Sequence, residues 1–165
     1  VTTTPHTAVP AAPPTDPVAQ LRWLVDRAAI GDLLVEFART LDVGDFAANT
    51  ALYLPDGVFQ VEGTPFRLSG HEELARTGSP SGLARYDATW HLSSNHAIDV
   101  DGDTATTRSY LLGVHRFTGD LTRHADGAGW YDCTLRRTEE GWRFATVTIH
   151  EVWRAGEELP HVLPS

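Results

Sequence analysis

The hydrophobic period changes once along this chain, and that change restricts the fold more than any other feature. Ile30, Leu33, Leu34, Phe37 and Leu41 follow the 3.6-residue period of one buried helical face. From Thr89 onward the period is two. Thr89 to Val100 and Thr104 to Phe117 read as strands joined by Asp101-Gly102, a tight hairpin turn. Trp130 to Arg137 and Trp142 to Trp153 read as a second hairpin across Glu139-Glu140-Gly141. Helices first and antiparallel strands afterwards predict an α+β fold, not an alternating α/β one. A curved, mostly antiparallel sheet wrapped around one long N-terminal helix would enclose a single pocket, open at one end.

Local signals fill in the order of elements. Asp16-Pro17 starts the long helix, with an acceptor at the N-cap and a proline at the first helical position; the helix is expected to run to about Leu41. Asp45 opens a short second helix that Pro55-Asp56-Gly57 is expected to end, and Val58 to Val61 reads as a strand. Ser69-Gly70-His71-Glu72 has the form of a capping box, opening a third short helix through Leu74. Gly78 to Gly82 is a loop between breakers. Residues 1–15, rich in Thr, Pro and Ala, are expected to be a flexible leader without the marks of a signal peptide. Residues 16–155 form one domain, and 156–165 a C-terminal tail.

Composition removes several function classes. A net charge of −9 argues against nucleic acid and against anionic membrane surfaces, both of which need a basic footprint. All thirteen basic residues are arginine, so lysine Schiff-base and lysine general-base chemistry are absent. Cys133 is the single cysteine, which excludes an internal disulfide, and its place in an alternating strand predicts an inert buried thiol. No apolar run approaches the roughly 18 residues of a membrane span, and the cytoplasm is the expected location. There is no G-x-G-x-x-G, P-loop or G-x-S-x-G motif. The histidines lack metal-binding spacing, with His91 and His96 expected on opposite strand faces. Asp99-Val100-Asp101-Gly102-Asp103 reads as a hairpin turn, not a calcium loop. No metal and no cofactor are therefore expected.

Three residues remain as candidates for chemistry. Asp42 ends a helical stripe of small residues, Gly31, Val35 and Ala38, which would leave room beside the helix. On the strand around His91, the odd positions His91, Ser93, Asn95 and Ala97 are small or polar, while Trp90, Leu92, Ile98 and Val100 are bulky. A face of small and hydrogen-bonding groups suits a pocket wall. His115 shares its parity with Ser109, Leu111 and Gly113. An aspartate that accepts from one imidazole nitrogen fixes the tautomer and leaves the other nitrogen as a base, and a second imidazole nearby completes a kit for proton transfer.

The chain from about Leu21 to Trp153 resembles the SnoaL-like branch of the nuclear transport factor 2-like superfamily. The resemblance is carried by D-R-A-A-I-G-D-L-L, A-R-T-L-D-V-G-D-F, L-Y-L-P-D-G-V-F, W-H-L-S-S-N-H-A-I-D-V-D-G-D-T-A and E-E-G-W-R-F. It implies a cone-shaped α+β barrel. In motif the chain is most similar to scytalone dehydratase and lindane dehydrochlorinase, where an aspartate at the end of the first helix pairs with a histidine on a central strand. Asp42 and His91 occupy those positions. His115 matches the second active-site histidine of the dehydratase, and Asn95 falls in the H-L-S-S-N block of the dehydrochlorinase. The departures are Leu41, where the dehydratase has tyrosine, Val61 near its second tyrosine, and no counterpart of the dehydrochlorinase's basic residue on the first helix.

The expectation is thus a cofactor-independent dehydratase, isomerase or cyclase acting on a small hydrophobic, polyketide- or terpenoid-like metabolite. Its catalytic residues are Asp42, His91 and His115. Tyr53, Trp90, Asn95, Tyr110 and Trp23 are candidate substrate contacts, the aromatic ones suiting a flat apolar ligand. His115, Tyr110 or Tyr53 would protonate or polarise a departing oxygen. The resemblance further implies a homodimer or homotrimer. The alternative is a non-catalytic ligand-binding member, or the small subunit of a ring-hydroxylating oxygenase.

Overall fold

A computed structural model describes residues 12–117, 119–157 and 159. Most of the expected leader and of the expected tail lies outside the described residues. Helix α1 (Pro17–Asp42) starts as its sequence predicts: the Asp16 side chain accepts from Ala19 N–H at 2.9 Å. Helix α2 (Phe46–Ala51) is capped in the same way by Asp45, which accepts from Ala48 N–H at 3.0 Å. Six strands follow with one further short helix: β1 (Tyr53–Val61), β2 (Arg67–Ser69), α3 (Gly70–Leu74), β3 (Ala88–Asp101), β4 (Thr104–Arg116), β5 (His124–Thr138) and β6 (Gly141–Gly156). Single 3-10 turns at Ala75–Gly78 and Leu83–Arg85 lead from α3 to β3.

The strands form one mixed sheet in the order β2-β1-β6-β5-β4-β3. β3 to β6 are an antiparallel meander, and β1 lies parallel to β6. The α+β class holds, but the sheet does not close: among the described residues β2 and β3 are its two edges. Its curvature follows from helix contacts. Phe37 of α1 packs edge-on against Tyr53, Tyr131 and Phe144, from β1, β5 and β6. The same helix reaches β3 through Arg27, whose guanidinium donates to the Ile98 carbonyl, and through Asp42. β1 and β3 are four strand spacings apart, about 19 Å in a flat sheet, whereas a helix with its side chains is about 10 Å across. Only a sheet curled around α1 lets one helix touch both.

Ile30, Leu34, Phe37 and Leu41 are the buried stripe of α1, each stabilising the fold by roughly 1.5–3 kcal/mol of apolar burial. At the far end from Asp42, the buried Asp26 accepts from both terminal nitrogens of Arg137, at 2.6 and 2.7 Å, and from Trp142 Nε1 at 3.2 Å. This ties α1 to the β5–β6 hairpin.

Four local expectations change. Pro55-Asp56-Gly57 does not end α2, which stops at Ala51; these residues form an irregular stretch of β1, where the register with β6 shifts between Tyr53 and Val58. The cap of α3 uses Glu73 and not Glu72: its carboxylate accepts from Ser69 N–H at 2.7 Å, and the Ser69 hydroxyl makes no cap bond. β5 begins at His124, six residues before Trp130, because its inward residues there are Ala125, Gly127 and Gly129, too small to mark an apolar alternation. The stripe Gly31, Val35 and Ala38 does not border a cavity, since Val35 is exposed to solvent.

Candidate active site

The interior wall of β3 and β4 is set by their pairing. Thr89 faces His115, His91 faces Gly113, and Ser93 faces Leu111. A one-residue bulge then interrupts β3 between Ser94 and Ala97, with Asn95 at φ +54°. The extra residue reverses the parity of everything after it. Ile98 turns into the core, while Trp90 and Leu92, ahead of the bulge, stay on the outer face. The grouping of Ile98 and Val100 with Trp90 on one face is therefore overturned. His96 falls on the post-bulge parity of Ile98 and meets the Ser93 hydroxyl at 3.1 Å, so it does not lie opposite His91 as the uninterrupted alternation predicted.

Asp42 reaches β3 from the last turn of α1. Its Oδ1 accepts from His91 Nδ1 at 2.7 Å and from the Thr89 hydroxyl at 3.1 Å, and its Oδ2 accepts from the His91 backbone N–H at 3.0 Å. Burial opposes ionisation of this carboxyl, but these donors outweigh it and hold Asp42 below the usual carboxylate range. An ionised Asp42 can only accept, so His91 donates through Nδ1, and in the neutral ring it is Nε2 that carries the lone pair. The ring is 7% exposed and lines the main cavity.

His115 sits beside it, the two rings 5.0 Å apart and near perpendicular. Its Nδ1 donates to the Ala125 carbonyl at 2.6 Å, so its Nε2 is also an acceptor. Burial, reinforced by the neighbouring His91, pushes His115 down to about 4. It is therefore neutral near pH 7. Nothing in this arrangement supplies a proton from His115, which alters the role expected of it: it can hold a hydroxyl or a water, not protonate a leaving group. Gly113 lies between the two imidazoles. A Cβ there would stand 3.1 Å from His115 Cε1 and 3.3 Å from His91 Cδ2. With Gly127 paired to it across β4 and β5, it forms a side-chain-free floor. These glycines, and not the small stripe on α1, make the room.

The cavity has a volume of about 460 Å³ and a mainly apolar lining from α1, β1, β4, β5 and β6, including Phe37, Leu41, Leu111 and Ile149. Tyr53, expected as a substrate contact, lines it. So does Tyr131, which sequence reading did not single out although it shares inward parity with Cys133. Both phenols are raised by burial, then by the nearby Cys133; Tyr131 also feels the Asp42 carboxylate. They remain protonated donors. Glu151 lines the same wall, paired with Arg154. Cys133 is buried and its thiol is pushed up to about 12 by burial, as an inert core cysteine should be.

The other expected contacts lie elsewhere. Trp90 and Tyr110 point outward and are about half exposed, because their parity is opposite to that of His91 and His115. Asn95 is the exposed bulge residue itself. Trp23 sits near the start of α1 under the Arg27 guanidinium, 4.8 Å from its centroid, away from the cavity. The Asp101-Gly102 turn joins β3 and β4, and among the described residues no group of three or more His, Cys, Asp or Glu converges as metal ligands would. No helix among them is long and apolar enough to cross a membrane.

The same architecture recurs in solved structures. A candidate aromatic ring hydroxylase from Novosphingobium aromaticivorans is 28% identical, with a TM-score of 0.74 over 81% of this chain and 94% of that one. A candidate scytalone dehydratase from the same organism is 23% identical, with a TM-score of 0.75 over 82% and 90% of the two chains. A hexachlorocyclohexane dehydrochlorinase, LinA type 2, is 19% identical and superimposes with a TM-score of 0.73 over 87% and 97%. The last two share the fold. A model of the SnoaL-like domain matches residues 22–148, three-quarters of the sequence. The chain belongs to the SnoaL-like family, within the NTF2-like fold.

Proposed function

We propose that this protein is a cofactor-independent acid–base enzyme, a dehydratase, isomerase or cyclase, acting on a small apolar metabolite of polyketide or terpenoid type. The observation that carries the reading is the 2.7 Å bond between Asp42 and His91 Nδ1 on the wall of an apolar cavity. His91 Nε2 takes a proton from carbon next to a substrate carbonyl. The C–H electron pair moves into the enolate, and Asp42 stabilises the imidazolium that forms. The enolate oxygen accepts a hydrogen bond from Tyr131 or Tyr53. In an elimination, a β-hydroxyl then leaves and takes the proton back from His91, so that water is the net product. In an isomerisation, the proton returns to another carbon. His115 Nε2 accepts from the leaving hydroxyl and orients it.

A second reading has one observation in its favour. The 28% identical neighbour is described as a candidate aromatic ring hydroxylase, and a binding subunit of such an oxygenase needs a cavity but no base. A carboxylate spent on fixing the tautomer of a cavity histidine favours the enzyme. The test is turnover and deuterium wash-in from D₂O, with cyclic β-hydroxy ketones and enones as probes, in EDTA and without added nucleotide. Wild-type turnover lost in His91→Ala supports the enzyme. Turnover retained in both His91→Ala and Asp42→Asn, or restored only by an added metal, overturns the mechanism. The proposal extends to assembly: a homodimer or homotrimer, joined through the outer face that carries Trp90, Tyr110 and Trp153.

A further inference from the structure

We propose that the mouth of the cavity recognises an anionic oxygen group, such as a carboxylate, on an otherwise apolar substrate, and that Arg76 is the residue that holds it. The inference rests on the reading of the cavity as a substrate site and adds the chemistry of the substrate's far end.

The arginines of this acidic chain are mostly committed. Arg108 is paired with Asp132 and Arg137 with Asp26, and others bind surface carboxylates in the same way. The guanidinium of Arg76 has no hydrogen-bond or ion-pair partner among the described residues, yet Arg76 is a lining residue of the cavity. A lone cation at the entrance of an apolar cavity in a protein of net charge −9 calls for an anion from outside.

The segment that carries Arg76 is held in place. Ser79 N–H donates to the Arg76 carbonyl at 2.9 Å, and Gly82 N–H to the Ser79 carbonyl at 2.8 Å. A Cβ at Gly78 would fall 2.5 Å from the Phe46 ring, and one at Gly82 would fall 2.3 Å from the Thr77 carbonyl oxygen. Both glycines thus allow the segment to fold tightly against α2 and itself. Thr77, Ser79 and Ser81 also line the cavity, and the last two hydroxyls meet at 2.9 Å. The mouth is therefore a guanidinium with hydroxyl donors around it, while the inner end holds two imidazole acceptors. A guanidinium and hydroxyls suit a carboxylate, and the apolar lining between suits a hydrocarbon body. Substrate polarity is thus ordered along the cavity: anion at the mouth, acidic C–H and carbonyl at His91.

Two probes separate this from simple apolar binding. 8-Anilinonaphthalene-1-sulfonate carries an anionic group, and N-phenyl-1-naphthylamine is nearly the same molecule without it. Fluorescence titration of both against wild type, Arg76→Gln and Arg76→Lys is the experiment. Arg76→Gln is expected to weaken the sulfonate about five- to tenfold and to leave the neutral probe unchanged, with Arg76→Lys between. Wild-type affinity for the sulfonate alone should fall with salt. Equal affinity of the sulfonate for wild type and Arg76→Gln overturns the proposal, as does an equal loss for both probes. Neither readout depends on turnover, so a failed anion site and a failed acid–base mechanism give different results.

Discussion

Asp42 holds His91 twice, through the ring nitrogen on one carboxylate oxygen and the backbone N–H on the other. An amide cannot reproduce this. In Asp42→Asn one of the two positions becomes an NH₂ group facing a donor. If the amide oxygen stays on the backbone N–H, the NH₂ faces Nδ1 and forces the proton onto Nε2, which abolishes the base. The expected outcome is a kcat lower by roughly 10²–10⁴, with a stability loss of about 1–3 kcal/mol for the unpaired group. Steady-state kinetics and urea unfolding of the variant measure both. Unchanged kcat would mean the carboxylate does not serve the imidazole.

Gly113→Ala tests the floor between the two histidines. The added methyl would press on both rings at 3.1–3.3 Å, closer than ordinary contact, so one imidazole must turn. The fold should persist, because Gly113 has ordinary negative-φ strand backbone. The expected result is a kcat at least tenfold lower with near-normal thermal unfolding, since about 1 Å of misplacement costs up to 10²-fold. The nitrogen resonances of the two imidazoles should shift together. A Gly113→Ala enzyme of full activity would show that the rings have slack the geometry does not suggest.

The outer face makes a separate prediction. Leu92, Leu112, Ala128 and Trp153 form one row across β3 to β6 by direct pairing, with Trp90 and Tyr110 beside it. An exposed apolar patch of this kind, with Trp90, Leu92, Tyr110 and Trp153 open to solvent, is the surface on which the proposed assembly would form. Light scattering should give a dimer or trimer for wild type and a smaller species for Trp153→Arg. A monomeric wild type at high concentration would remove the assembly proposal.

Much of this was legible because it depends on local periodicity. The α1 stripe, both caps and the β3–β4 hairpin follow from residues a few positions apart, and Asp42 and His91 stand out at the ends of such patterns. Parity arguments failed where a bulge intervened. Asn95 in a left-handed conformation reverses inside and outside, and no propensity in S-S-N-H-A announces it, so simple alternation puts Ile98 and His96 on the wrong faces. Trp90 and Tyr110 depart from expectation for a different reason, since aromatic character alone does not say which face of a sheet a residue occupies. Tyr131, Glu151 and Arg76 carry no local signal of a site, because only the folded sheet brings them to the cavity that Phe37, His91 and His115 line.

His115 predicts a stability profile with a definite sign. Its folded value, about 4, lies below the ordinary imidazole value of 6.5. Between those limits the unfolded chain takes up a proton that the folded chain refuses, so stability falls as pH drops through this window. The contribution is intact above 6.5, and the loss is complete near 4, on the order of 3 kcal/mol. His96, also lowered by burial, adds a slope of the same sign. The difference between wild type and His115→Asn therefore isolates His115. Urea midpoints across pH 4–7 should be flatter for the variant, and parallel curves would show that His115 is not buried in its neutral form.

The proposed mechanism needs a hydrogen-bond donor for its developing oxyanion, and Tyr131 and Tyr53 are the phenols that line the cavity. Tyr131 is on the same side as the dyad, close enough to feel the Asp42 charge. Tyr131→Phe removes one hydroxyl and keeps the edge-on contact with Phe37, whose ring centroid is 5.5 Å away. The fold should be unaffected, and kcat should fall roughly 10²-fold, in keeping with loss of one oxyanion donor. KM should change little, because a hydrogen bond that strengthens in the transition state acts mainly on kcat. Tyr53→Phe is expected to cost less. If Tyr131→Phe instead raises KM at constant kcat, Tyr131 only binds substrate, and the donor must be Tyr53 or a water held by His115.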